Sequence, residues 1–248
     1  MKKRSFKLVI AFCAVILSLS SLNQVEHASA SEGPKKQWLQ ISDTIRYYGE
    51  IKNGQPNGRG TMTWGENKQY SGTFVNGKRS GTGTYQNVYV DFETSRMYKV
   101  VYEGNWENDV MQGTGTQTEK IIENDFDQTV ILHEIKKGEF KNNNWVSGYD
   151  VAHGQFDPEF NFVYKNSNTY LEIMSSNLNM IYYWKSGNLM GVTYKKGSTS
   201  YEYGAIPSDN ELEEKERRVA LMHLRLLTSE VTPYLKQFEY LSKLVPLK

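Results

Sequence analysis

The sequence predicts a mainly β protein: an elongated, twisted sheet of consecutive hairpins followed by a C-terminal helical segment. Three observations carry this. Tyrosine, glycine and a large apolar residue recur two apart in several copies. Asn-Gly or a close relative follows each copy, and this dipeptide suits the tightest strand reversal. Residues 208–231 then hold no glycine at all and place leucine, valine and methionine at helical spacing.

The chain opens with Lys2, Lys3, Arg4 and Lys7, then an apolar run from Leu8 to Leu19. Ala28-Ser29-Ala30 follows, the small-x-small pattern of a signal-peptidase site. Residues 1–30 therefore read as a cleavable signal peptide cut after Ala30, which predicts a secreted or cell-surface protein, bacterial in type. An uncleaved anchor is the rival, but the run is shorter than the ~20 residues of a spanning helix. Cleavage leaves 218 of the 248 residues and removes the one cysteine, Cys13. Four of 29 basic and one of 28 acidic residues leave with it, for a net charge of −2. So balanced a surface argues against a nucleic-acid partner, which needs clustered cations. Residues 31–45 read as a linker.

Self-comparison is the informative step over residues 46–150. Tyr47-x-Gly49-x-Ile51 returns as Tyr70-x-Gly72-x-Phe74 and Tyr102-x-Gly104-x-Trp106. Counting from the first glycine of each copy, a glycine pair lies at plus nine and plus eleven: Gly58 and Gly60, Gly81 and Gly83, Gly113 and Gly115. Asn53-Gly54, Asn76-Gly77 and Asn108-Asp109 fall between the halves. Each copy is a hairpin, because residues two apart share one face of a strand. A strand glycine leaves room for an aromatic ring, which the reading assigns to the neighbouring hairpin, and Gly-x-Gly does the same on the return strand. The nine residues added between the second and third copies predict a longer hairpin turning near Glu93-Thr94-Ser95. A degenerate fourth copy has Gly138, Phe140, Asn142-Asn143 and Gly148, with Lys136 in the tyrosine's place. An extended hairpin turning at Asn124-Asp125 precedes it.

This pattern resembles the MORN repeat family, with three good copies and one degenerate copy. "YYWKSGNLMGVTYKKG", residues 182–197, resembles a shorter bacterial MORN variant along aromatic strands, and residues 151–206 read as further degenerate hairpins. The resemblance implies a non-enzymatic scaffold or binding surface. Lipid binding is proposed for such proteins but does not follow from the repeat.

Composition changes at Pro207, and residues 207–248 read as a helical cap or docking segment. Ser208 with Glu211 three later fits a capping box. Leu212, Val219, Met222, Leu226 and Leu227 form one apolar stripe. Thr232-Pro233 interrupts or restarts the helix, and Tyr234, Leu235, Phe238, Leu241 and Val245 form a second stripe. These helices either cover the open end of the sheet or pair copies of the chain into a homodimer.

Little chemistry is written into the motifs. A dinucleotide loop needs a third glycine where Thr63, Gln86 and Thr118 stand. His133, His153 and His223 are scattered and never at metal-ligand spacing. Asn124-Asp125-Phe126-Asp127 lacks the form of a calcium loop. No metal, cofactor or catalytic residue is expected, although an acidic pair for sugar hydrolysis would be spatial and invisible here. What remains is a face of rings, Trp64, Tyr70, Phe74, Tyr85, Tyr102 and Trp106. They are either the core of a thin sheet or an open groove for a protein partner, with a cell-wall glycan or a lipid surface as alternatives.

Overall fold

The computed structural model describes residues 35–124 and 132–247. The leader expected in residues 1–30, with Ala28 and Ala30, and the turn expected at Asn124-Asp125 lie outside the described residues or at their margin. Among the described residues, one open antiparallel sheet holds thirteen strands in chain order. They are β1 (Lys36–Ser42), β2 (Ile45–Lys52), β3 (Gln55–Trp64), β4 (Lys68–Val75), β5 (Lys78–Asp91), β6 (Arg96–Glu107) and β7 (Val110–Asn124), then β8 (Leu132–Lys141), β9 (Asn144–Gly154), β10 (Phe160–Lys165), β11 (Thr169–Ser175), β12 (Gly191–Lys196) and β13 (Thr199–Gly204). The segment 31–45 is thus not merely a linker, because it contains β1.

Four hairpins of the repeat region turn on two residues. Asn53-Gly54, Asn76-Gly77, Asn108-Asp109 and Asn142-Asn143 all have positive φ, from 48° to 81°. That is the type I′ geometry whose twist matches the flanking strands. The two glycines of each Gly-x-Gly differ in role, contrary to the expectation that both make room for a ring. Gly58, Gly81 and Gly113 have φ of 101°, 64° and 84° and lie where the pairing slips by two residues. They are bulge glycines. Gly60, Gly83 and Gly115 stay in register with Gly49, Gly72 and Gly104, and the ladder continues through Gly138 and Gly148.

Consecutive hairpins are also tied turn to strand. The N–H of Gly77, Asp109 and Asn143 donates to the carbonyl of Pro56, Arg79 and Met111 on the preceding hairpin, at 2.8, 3.1 and 3.2 Å. Each acceptor sits nine residues after its repeat tyrosine, so the tie is part of the repeat.

Helix α1 (Met180–Ser186) separates β11 from β12 and overturns the strand reading of residues 182–197. Asn179 caps it by accepting from the Tyr182 N–H, and Gly187 ends it at φ 82°. Met180 and Trp184, four apart and both buried, face the core together. Strand begins only at Gly191.

Helices α2 (Glu211–Leu226) and α3 (Thr228–Ser242) form the C-terminal segment. Asn210, not Ser208, is the N-cap: its Oδ1 accepts from Leu212 and Glu213 at 2.9 and 3.2 Å. The break falls at Leu227 rather than at Thr232-Pro233. There the Thr228 hydroxyl donates to the Arg225 carbonyl at 2.6 Å, competing with the helical ladder. Pro233 lies inside α3, where the Thr232 hydroxyl donates to the Thr228 carbonyl.

The core changes sides of the sheet. One cross-strand row runs Tyr47, Met62, Tyr70, Tyr85, Tyr102, and then Gln117, Lys136, Asp150. The row on the opposite face runs Thr63, Gln69, Gln86, Val101, Thr118, and then Ile135, Val151, Phe162, Ile173, Val192. One face is therefore aromatic then polar, the other polar then apolar, and the exchange occurs at β8. Helix α3 packs on the second apolar region, with Phe238 against Tyr149 and Phe162 and Tyr234 stacked on Tyr164. The helices join that cluster and leave the aromatic face of the repeats alone.

Candidate functional site

The aromatic face is built by one contact made three times. Tyr47 lies over Gly49 and Gly60 of its own hairpin, Tyr70 over Gly72 and Gly83, and Tyr102 over Gly104 and Gly115. The ring over each glycine pair thus comes from the same repeat, not from the neighbour. A tyrosine can fold flat along its strand only where the next same-face position and that position's cross-strand partner both lack Cβ. Each hydroxyl then donates to the carbonyl three residues on: Glu50 at 2.8 Å, Thr73 at 3.1 Å and Asn105 at 3.0 Å. Burial pushes all three phenols up to about 12.

The neighbour contributes the wedge. Phe74 sits edge-on between Tyr47 and Tyr70, both at 5.1 Å. Trp106 stands between Tyr70 and Tyr102 at 5.3 and 5.2 Å, and Phe140 abuts Tyr102 at 4.9 Å. The edge-to-face order is the favourable arrangement of ring quadrupoles. Of the six candidate face residues, Tyr70, Phe74, Tyr102 and Trp106 are buried, while Trp64 and Tyr85 are half-buried. Arg79 roofs them, its guanidinium 4.2 Å from the Trp106 ring centre and bonded through Nε to Asp109 at 3.1 Å. The structure brings the six together as a core, so an open groove of these rings is not what the sheet presents. In a sheet one layer thick, rings on the inner face must cover each other.

The open surface is the other face. Thr61, Ser71, Thr84, Glu103 and Thr116 form one row, and Thr61 and Ser71 share a hydrogen bond at 2.8 Å. At its β1 end lie Trp38 and Tyr48, 73% and 42% exposed, with ring centres 4.9 Å apart. Beside them Lys36, Arg59, Thr61, Thr73 and Thr82 line a shallow cavity of about 320 Å³. A second, of about 450 Å³, is lined by Thr82, Thr84, Glu103, Asn105 and Thr114. Sequence reasoning passed over Trp38 because β1 carries no repeat; its signal was an isolated tryptophan in a segment read as linker.

Where the fourth copy loses its tyrosine, charge enters. Lys136 Nζ bonds Glu134 Oε2 at 2.5 Å and lies 3.8 Å from Asp150 Oδ2. Burial, and then the adjacent Glu134 carboxylate, push the Asp150 carboxyl up to about 7, against the pull of Lys136. The same two causes raise Glu119. An acidic pair does meet here, but Lys136 neutralises it, which is the arrangement of an ion-pair network. His133 and His153, directly opposite on β8 and β9, bond through Nδ1 to the carbonyls of Pro246 and Val245 and so pin the C-terminal end. His223 stacks on Tyr201. Among the described residues no group of three His, Cys, Asp or Glu could hold a metal ion, and no helix is long and apolar enough to cross a membrane.

A single hairpin design copied along an open sheet, with a structural face and a solvated face, defines a β-repeat protein. The MORN-repeat family model matches residues 47–67, 70–87 and 102–118 of the chain. The chain is 41% identical over 71 residues to MORN repeat-containing protein 3 of Xenopus laevis, covering 28% of this chain and 29% of that one. It is 38% identical over 71 residues to alsin of Rattus norvegicus, covering 28% of this chain and 4% of that one. The chain therefore spans well under two thirds of either relative.

Proposed function

We propose that this is an exported, non-enzymatic MORN-repeat scaffold that docks a protein partner on the threonine-rich face of β1–β6. One observation carries the reading: the aromatic residues of the repeat close on themselves, and the opposite face stays open beside the exposed Trp38 and Tyr48. Tryptophan and tyrosine flanked by polar groups and an arginine are the composition of binding hot spots. The leader read in residues 1–30 supports a surface outside the cell, and mass analysis of the exported chain should find Ser31 as its first residue. A chain retained in the cytosol at full length would sink this part.

Glycan binding is the second reading, favoured by the same ring pair, because sugar rings stack on exposed indoles while hydroxyls meet threonine, Arg59 and Asn105. One assay separates the readings. Labelled chain is bound to producing cells, and Trp38→Ala with Arg59→Ala should abolish retention. Trypsin pretreatment of the cells removes a protein partner, and muramidase pretreatment removes a cell-wall glycan. Salt-sensitive flotation with anionic liposomes would instead indicate a lipid surface. Retention unaffected by the double substitution overturns the proposed face.

A further inference from the structure

The apolar stripe of α2 faces outward. Leu212, Val219, Met222 and Leu226 are 64, 43, 54 and 74% exposed. At 3.6 residues per turn they share one side of the helix, nearly opposite Leu221 and Leu224, which face the core. The stripe borders a groove of about 520 Å³ between α2 and the edge strand β13, lined by Tyr201, Glu202, Leu212 and Val219 among others. Charge is segregated along the same helix. Residues 209–216 hold five acids and one lysine, whereas 217–226 hold three arginines and no acid.

We propose that α2 pairs two copies of this chain, the two helices running antiparallel about a twofold axis near Val219. Symmetry then lays the acidic first half of each helix against the basic second half of the other, so Glu211 and Glu216 meet the second copy's Arg225, Arg218 and His223. A parallel pair would oppose like charges. An unrelated partner would need the reverse gradient by coincidence, while a second copy supplies it by symmetry. The apolar stripe forms the seam, with Leu212 near the second copy's Leu226. Lys215 lies within the stripe and covers it with its methylene stem while its ammonium reaches solvent. The pairing is independent of the face proposed above for the partner.

Sedimentation velocity on the full chain over a concentration series tests this. The chain should dimerise reversibly, and Val219→Glu with Leu226→Glu should weaken the dimer roughly tenfold or more. At a concentration where both chains are monomeric, the circular dichroism melt of that variant should match the parent, since both residues are exposed. Glu211→Lys with Glu216→Lys, and Arg218→Glu with Arg225→Glu, should each be monomeric alone and associate when mixed. In a Cys13→Ser background, Val219→Cys should form a disulfide-linked dimer on oxidation. A monomer at every concentration, or a dimer indifferent to both sets of substitutions, overturns the proposal.

Discussion

Gly83 and Tyr70 show how one residue's missing atoms set another's position. A Cβ on Gly83 would come within 2.5 Å of the Tyr70 hydroxyl and ring carbons, so Gly83→Ala must lift that ring from the strand and break its bond to the Thr73 carbonyl. Overpacking of this kind costs about 3 kcal/mol. Gly154→Ala, where the added Cβ would come no nearer than 4.0 Å to the Glu159 carbonyl oxygen, should be near neutral in the same urea titration. Equal losses at the two sites would refute the ring-on-glycine account. Asp150 gives the pH counterpart. Its carboxyl titrates at about 7 when folded against roughly 4 when unfolded, so the folded state holds the proton more tightly. Stability from this group is present below the unfolded value and lost as pH rises through the folded one. Asp150→Asn should therefore stabilise the protein at pH 8 and have little effect at pH 4. Urea midpoints at the two pH values check the sign, and a gain confined to acid would contradict it.

Hairpins meet through the second turn residue as well as through rings. Asp109 Oδ1 accepts the backbone N–H of Arg79 at 2.9 Å and its Nε at 3.1 Å, while the Arg79 guanidinium rests on Trp106. In the next copy Asn143 Oδ1 accepts from the Met111 N–H at 2.8 Å. A charge-assisted bond to a mostly buried guanidinium is worth about 2 kcal/mol. Asp109→Ala should cost about that much, and Asp109→Asn distinctly less, because the amide keeps the backbone acceptor. Hydrogen exchange at Arg79 would report the loss locally; unchanged protection there in Asp109→Ala would rule the clamp out. This clamp escaped sequence reading, where Asp109 looked like an imperfect Asn-Gly turn. The four turns, by contrast, were readable because positive φ restricts which residues fit.

At the scale of the molecule, two cores on opposite faces make stability local. Each strand touches mainly its sequence neighbours, as in other repeat proteins, where stability is nearly a sum over adjacent units. Phe238→Ala removes a fully buried ring from the contact with Tyr149 and Phe162, at a cost of about 3 to 5 kcal/mol. Hydrogen-exchange protection should fall in β9–β13 and α3 while β2–β6 keeps its protection. A uniform loss across all strands would mean the two cores unfold as one.

The repeat hairpins and their turns could be read from the chain because every contact that defines them lies within one or two hairpins. Tyr70, Gly72, Gly83 and Phe74 are near in sequence, and spacing alone aligns them. The exchange of faces at β8, the outward stripe of α2 and the helix at Met180–Ser186 could not be read that way. An amphipathic segment announces that it has an apolar side, but which side turns inward depends on what arrives from elsewhere in the chain. Leu224 of α2 is buried in the cluster that also holds Trp184 of α1, whose indole N–H donates to the Leu224 carbonyl at 3.1 Å across forty residues of sequence. The rings of Tyr70 and Trp106 became a core rather than a groove for the same reason: only the assembled sheet shows that each ring is covered by the next.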